Sequence, residues 1–349
     1  MKIPHFGLAR QYKNLKDELL DATHRALKDG QLVNGHYTRA FEEWLRHRTK
    51  TKYAVTVHSG TQALEIIAKY KRQSAKLTTL LPNITYPATL NAFMNTGWDV
   101  ELVDTDKYGI MTMNNKPMKR TDYICLVGLY GMQPWQQARI ENAENIIVDG
   151  AQHWLVAEGQ VGCAMAISFD PTKNLPSSGN GGAIVTNDHN LYLYAARYRD
   201  NFKPYFDEIG TNTKMSEQDC AQILVRARYI HEWQQRRKDI AKYWCESFKD
   251  LPVTCLADTD VPHAYQKFVL YTPDRNELHS NLILDGIDSK IHYDYNLGDL
   301  PIAKNLVKPD LLSTSVMLLR GVLSLPIYPE LTDNEVEYIS DRVHEYFNK

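Results

Sequence analysis

The sequence predicts an α/β protein with a mainly parallel sheet, helices on both of its faces, and a smaller C-terminal α+β domain. Three observations carry this. Short apolar runs recur along the chain with helical segments between them, the pattern of parallel strands joined by crossover helices. At 349 residues the chain exceeds what one core commonly holds, so two domains are expected. The rhythm then changes after Pro252, and the division is placed at residues 1–240 and 241–349.

Each element has its own signal. Residues 11–29 carry Tyr12, Leu15, Leu19, Leu20, Ala26 and Leu27 at helical spacing, with Gly30 as a stop. A second helix follows Gly35, with Phe41, Trp44 and Leu45 on one face. Residues 53–57 read as a strand that breaks at His58-Ser59-Gly60-Thr61 and gives way to a helix through Ala63, Leu64, Ile66 and Ile67. Further strands are expected over 77–81, 100–103, 124–127, 146–148, 161–169 and 182–186, with a helix over 88–94. Residues 216–248 form one long helical pattern, 263–271 is strand-like, and 334–347 is an amphipathic helix. No fixed-period repeat is visible.

Composition narrows the function classes. With 43% apolar and 23% charged residues the profile is that of a soluble globular protein. Gly and Pro together make 18 + 15 = 33 residues, too few for a collagen or low-complexity chain. Forty basic residues against 42 acidic ones, net −2, give no long-range pull on nucleic acid or an anionic membrane. The cluster Arg236-Arg237-Lys238 reads as a solvated helix face. No apolar run approaches the roughly 18 residues of a membrane span, and the first residues lack the apolar centre of a signal peptide. Five scattered cysteines, Cys125, Cys163, Cys220, Cys245 and Cys255, form no CxxC pair. A reducing cytoplasmic setting is expected, without a metal site.

Four local features suggest chemistry. Ser59-Gly60-Thr61 stands between a strand and a helix, where unpaired amides favour an anion. Asp149 ends the run 146–148, at the strand edge where α/β sheets bind ligands. Lys173 follows a strand in a turn set by Pro171, where a desolvated amine can attack an aldehyde. Tyr86 follows another strand. Alone, each has an ordinary reading: helix cap, turn aspartate, surface lysine, packing aromatic. Together they are the set that pyridoxal phosphate needs: a phosphate cup, a carboxylate for the pyridinium nitrogen, a lysine for the aldehyde, and an aromatic over the ring. Lys173 would then also carry a proton between substrate carbon and cofactor. The stretch Gly179-Asn180-Gly181-Gly182 has the spacing of neither a dinucleotide loop nor a P-loop.

These segments resemble a known family. Ser59-Gly60-Thr61-Gln62-Ala63-Leu64, Thr85-Tyr86-Pro87-Ala88-Thr89, Leu129-Tyr130-Gly131, Val148-Asp149-Gly150-Ala151-Gln152, Ser168-Phe169 with Lys173-Asn174-Leu175, and Gly181-Gly182 look like the DegT/DnrJ/EryC1/StrS sugar aminotransferases. The likeness runs from Gly35 to Leu331-Thr332-Asp333. It implies the aspartate-aminotransferase (type I) fold and pyridoxal 5'-phosphate, with pyridoxamine phosphate in the half-reaction. It implies an amino group moved, usually from glutamate, onto a nucleotide-linked keto-deoxy sugar, with the 3-keto branch the better match.

The resemblance also implies roles. Lys173 would form the Schiff base, Asp149 pair with the ring nitrogen, Gln152 contact the ring hydroxyl, and Tyr86 stack on the ring. Ser59, Gly60, Thr61 and Ser168 would hold the phosphate, with Asn212 reaching it from a partner subunit in a homodimer with shared active sites. Tyr130, Lys214, His292 and Tyr293 would face the substrate. Four positions depart from the pattern: Gly128 where histidine is usual, Lys214 for arginine, Gly150 for Ala or Cys, and Gln266 for histidine. Two alternatives keep the fold and cofactor: amination of a non-nucleotide cyclic ketone, or a non-catalytic cofactor-binding protein. Lys173 argues against the family's dehydrating branch, which has histidine there.

Overall fold

The computed structural model describes residues 1–72, 76–112, 123–134, 143–159, 161–257, 260–306 and 312–348. Among them the large sheet contains β1 (Tyr53–Val57), β2 (Thr78–Pro82), β3 (Asp99–Val103), β4 (Tyr123–Val127), β5 (Ile146–Asp149), β6 (Ala164–Ser168) and β7 (Gly182–Thr186). Their spatial order is β1-β7-β6-β5-β4-β2-β3. β7 runs antiparallel to both neighbours, and the remaining pairs are parallel. All strands but β7 therefore point the same way, and their carboxyl ends share one edge.

The apolar runs are continuous because both faces of this sheet are covered. Ala54, Leu80, Ile124, Leu126, Ile146, Val148, Met165 and Ile167 enter a core with helices α1 (Leu8–Lys28) and α2 (His36–Thr49). Their alternates, Val55, Leu81, Cys125, Ile147, Ala164 and Ala166, enter the opposite core with α3 (Gly60–Arg72), α4 (Pro87–Asn95) and α5 (His189–Tyr198). The period of two along each strand assigns neighbours to opposite faces. Helix α6 (Glu217–Ala227) joins the first core, and its Glu217 carboxylate caps α2 by accepting from the amides of Gly35 (2.8 Å), Tyr37 (2.7 Å) and Thr38 (3.0 Å).

A second, antiparallel sheet has the order β10-β9-β8 and comprises β8 (Thr254–Cys255), β9 (Phe268–Tyr271) and β10 (Val322–Leu325). Its core gathers Phe268, Leu270, Leu323 and Leu325 with α8 (Arg275–Leu284) and α10 (Asp333–Phe347). Helix α7 (Ile230–Ser247) bridges the two cores: Ile230 and Trp233 pack on the large-sheet side, Ile240 and Trp244 on the small-sheet side. The residue 240/241 division falls inside this helix.

Several sequence expectations change. The pattern over 216–248 is two helices, because Arg228 and Tyr229 bond back three residues instead of four, to Val225 (3.2 Å) and Arg226 (3.0 Å). The strand expected over 263–271 begins only at Phe268, since Tyr265 takes a left-handed backbone (φ 46°). That over 161–169 contracts to β6. Tyr12, Leu20 and Leu27 of α1 are exposed rather than buried. Helices α5, α8 and α9 (Ser313–Gly321), with β8 and β10, are additions.

Candidate active site

The carboxyl ends of β1, β5 and β6 and the start of β7 meet at one cavity of about 510 Å³. Ser59, Gly60, Thr61, Tyr86, Asp149, Gln152, Ser168, Lys173, His292 and Tyr293 all line it. At one end lies the N-terminus of α3. Ser59 caps it, its carbonyl accepting from the Ala63 amide (3.0 Å) and its Oγ from the Gln62 amide (3.2 Å). The Gly60 and Thr61 amides, first in the helix, have no intrahelical acceptor, and both residues line the cavity. A Cβ on Gly60 would come within 2.8 Å of Ser168 Cβ, so only glycine lets the helix end close against β6. At Gly182, the first residue of β7, a Cβ would meet the Ser59 carbonyl carbon at 2.3 Å.

Asp149 is 7% exposed at the end of β5. Its Oδ2 accepts from Thr89 Oγ1 (2.7 Å) and its Oδ1 from the Ala151 amide (3.1 Å). Burial raises its pKa above the usual carboxylate value, while those two bonds and the Lys173 charge pull it back. Lys173 shows the mirror effect. Burial lowers its amine, against the attraction of Asp149 and Asp170, which favours the neutral, nucleophilic form. The lysine turn is fixed from several sides: Lys173 N donates to Asp170 O (2.9 Å), Asn174 Nδ2 to Ala264 O (2.7 Å) and Gln266 Nε2 to Thr172 O (2.9 Å).

Gln152 Oε1 accepts from the Tyr130 amide (2.6 Å), and its Nε2 donates to Tyr293 Oη (3.3 Å). Tyr130 is buried behind the cavity wall in a left-handed conformation (φ 60°), and its hydroxyl donates to His292 O (2.6 Å). It links the floor to the wall without lining the cavity. Tyr86 is 58% exposed and its ring centre lies 6.2 Å from that of Tyr293. Asn212 and Lys214 are not brought to this cavity. Asn212 is exposed, and Lys214 Nζ pairs with Asp200 Oδ1 at 2.5 Å.

Three of the four departures have steric or bonding explanations. A Cβ at Gly128 would fall 2.0 Å from His153 Nδ1, so the ring of His153 occupies the volume a side chain there would need. A Cβ at Gly150 would meet Met165 Sδ at 2.5 Å. Gln266 anchors the lysine turn, as above.

Sequence reasoning missed Thr89, Asp170, Phe6 and Lys267. Thr89 holds Asp149, and the others line the cavity. Thr89 had a signal, lying within the Tyr86 segment. Phe6 and Lys267 had none, since each comes from a segment remote from the large sheet.

The residues fit pyridoxal phosphate on two physical grounds. Gly60 leaves an amide-lined cradle that a Cβ would fill. Asp149 is a desolvated carboxylate in want of a cation, beside a desolvated amine that prefers neutrality. Among the described residues, no group of three His, Cys, Asp or Glu is arranged for a metal ion, and no helix is long and apolar enough to cross a membrane.

Known proteins resemble this chain over nearly its whole length. The DegT/DnrJ/EryC1/StrS aminotransferase family model matches residues 13–344. A dTDP-3-amino-3,4,6-trideoxy-alpha-D-glucose transaminase from Streptomyces venezuelae is 29% identical over 99% of this chain and 96% of its own. A pleiotropic regulatory protein of Geobacillus stearothermophilus is 26% identical over 99% of both. The crystal structure of S. venezuelae DesV, in complex with a ketimine intermediate, superposes with a TM-score of 0.92 at 27% identity, covering 100% of this chain and 99% of that one.

Proposed function

The chain belongs to the DegT/DnrJ/EryC1/StrS aminotransferase family, and on that premise we propose that it moves an amino group from glutamate onto a nucleotide-linked keto-deoxy sugar, using pyridoxal phosphate. The observation that carries this is the placing of Lys173 and Asp149 in one cavity with the open N-terminus of α3. The substrate class rests on the similarity to the S. venezuelae transaminase.

When bound, the cofactor supplies an aldehyde for an amine and a ring that accepts an electron pair. The chain's own residues do the rest. The Gly60 and Thr61 amides, with the Ser59 and Ser168 hydroxyls, would hold the phosphate. Asp149 balances positive charge at the ring nitrogen, held in place by Thr89 and Ala151. Lys173 Nζ takes the proton from the substrate carbon and returns it on the other side of the transfer. Tyr86 would cover the ring, Gln152 would contact its hydroxyl, and His292 and Tyr293, which line the same cavity, would face the sugar.

We further assign the protein to a cytoplasmic homodimer. Cys125, Cys163, Cys220 and Cys245 are free thiols. The strap after α5 exposes Tyr205, Phe206 and Ile209, and carries Asn212 and Lys214 outside this chain's own cavity, as a residue serving a partner's phosphate site would be.

The test is a two-part transfer. Protein loaded with pyridoxal phosphate should lose its yellow colour with glutamate and release 2-oxoglutarate. A nucleotide-linked keto sugar should then restore the colour, while a keto-inositol should not. Restoration by the inositol alone would replace the sugar with a free cyclic ketone.

A further inference from the structure

Lys267 is a charged cavity residue that the transfer chemistry above leaves unused. It immediately precedes β9, is 6% exposed, and lines the same cavity as Lys173. Its amine stands 5.9 Å from the centre of the Phe6 ring, and it forms no ion pair or hydrogen bond with a described side chain. The acid whose charge it feels, Asp170, is already engaged: one oxygen accepts from the Thr172 amide (2.9 Å) and hydroxyl (2.5 Å). Nearby Arg237 donates to the carbonyls of Tyr265 and Ile327 and brings no carboxylate. Burial, helped by the charges of Lys173 and Arg237, pushes the Lys267 amine down to about 7.

A buried amine that no side chain pairs directly is costly to charge, and a fold can keep one where a ligand supplies the anion. That anion is not the cofactor phosphate, which the α3 terminus takes with backbone amides. Lys173 and Lys267 line the same cavity of about 510 Å³, so an anion held by Lys267 would share the space of the reacting carbon. In an amino acid the group in that place is a carboxylate. In a sugar linked to a nucleotide, the diphosphate is on the anomeric carbon, and only an acid on the ring itself would come this deep.

We propose that Lys267 binds a carboxylate carried by a substrate, on the amino donor or on the acceptor sugar, and so selects which acids enter the cavity. The inference rests on the aminotransferase reading above.

The test titrates the full chain, loaded with pyridoxal phosphate, by calorimetry with glutarate, UDP-glucuronate and UDP-glucose. Wild type is compared with Lys267→Met and Lys267→Arg. In Lys267→Met, glutarate or UDP-glucuronate should bind about 10- to 100-fold more weakly, the scale of one lost charge-assisted hydrogen bond. UDP-glucose should be unchanged, and Lys267→Arg should recover much of the loss. Weakening of glutarate alone assigns the carboxylate to the donor, and weakening of UDP-glucuronate alone assigns it to the acceptor. Met keeps the stem and removes a buried charge, so folding is preserved. The proposal is overturned if neither acid binds wild type, if neither weakens in Lys267→Met, or if UDP-glucose weakens equally. A wild type that never turns yellow defeats the aminotransferase reading, while the glutarate heats still decide the role of Lys267.

Discussion

The two ends of the cavity are built in different ways. The α3 end is made of strand termini of one sheet: Ser59 and Gly60 after β1, Asp149 on β5, Ser168 on β6. Its binding groups are largely backbone amides and short side chains, fixed by the sheet register and by glycines that allow close approach. The opposite wall is assembled from remote segments: Phe6 before α1, Lys267 before β9, His292 and Tyr293 between α8 and α9. Its groups are long or aromatic side chains, joined to the floor through Tyr130 and Gln152. The first end carries the groups assigned to the cofactor, and the second carries the buried lysine that no described side chain pairs.

Substitutions can break or sharpen the contrast. The largest effect is expected at the α3 end. Asp149→Ala should slow amino transfer by about 10²- to 10³-fold, the usual scale for losing one preorganised charge, with pyridoxal phosphate still attached through Lys173. Single-turnover kinetics with glutamate would read this, and a change below about threefold would contradict the role given to Asp149. Next, Gly60→Ala should weaken cofactor retention by about 10-fold, because the new methyl must displace Ser168 at a cost of about 1–3 kcal/mol. Equilibrium dialysis measures it, and unchanged retention would show the cradle to be looser than its contacts.

The third effect belongs to the other wall and is read in stability, as a function of pH, rather than in activity. The unfolded chain holds the Lys267 proton up to about pH 10.4, whereas the folded chain releases it near pH 7, with Lys173, Arg237 and Asp170 as the charges facing it. Folded wild type thus gains stability as pH climbs through that window. The advantage of Lys267→Met should be full at or below about pH 7 and fade toward pH 10. Melting curves of the cofactor-free proteins at both ends would check this, and a gap that stayed constant would place Lys267 in contact with solvent.

The same contrast explains what could be read in the sequence. Ser59, Asp149, Ser168 and Lys173 stand at the ends of apolar runs or within a few residues of them, so strand position and residue type together mark them. Lys267 and Phe6 are separated by about 260 positions and share no periodic signal, so only folding brings them together. Secondary structure followed a similar rule. Sheet strands buried on both faces announced themselves, whereas the break at Arg228 and Tyr229 involves neither Gly nor Pro and rests on a change of hydrogen-bond partner. Tyr265 likewise takes a left-handed backbone that no residue type advertised, which shortened β9. Asn212 and Lys214 are legible as a motif, but the fold of this chain leaves both outside its own cavity.

The central claim is that the desolvated amine of residue 173 joins covalently to the cofactor aldehyde. Reduction of the pyridoxal phosphate-loaded protein with borohydride, followed by peptide mass mapping, tests it most directly. The account predicts a single pyridoxyl-phosphate adduct on the peptide bearing Lys173, absent in Lys173→Ala. An unmodified Lys173, or an adduct found only on another lysine such as Lys267, would contradict it.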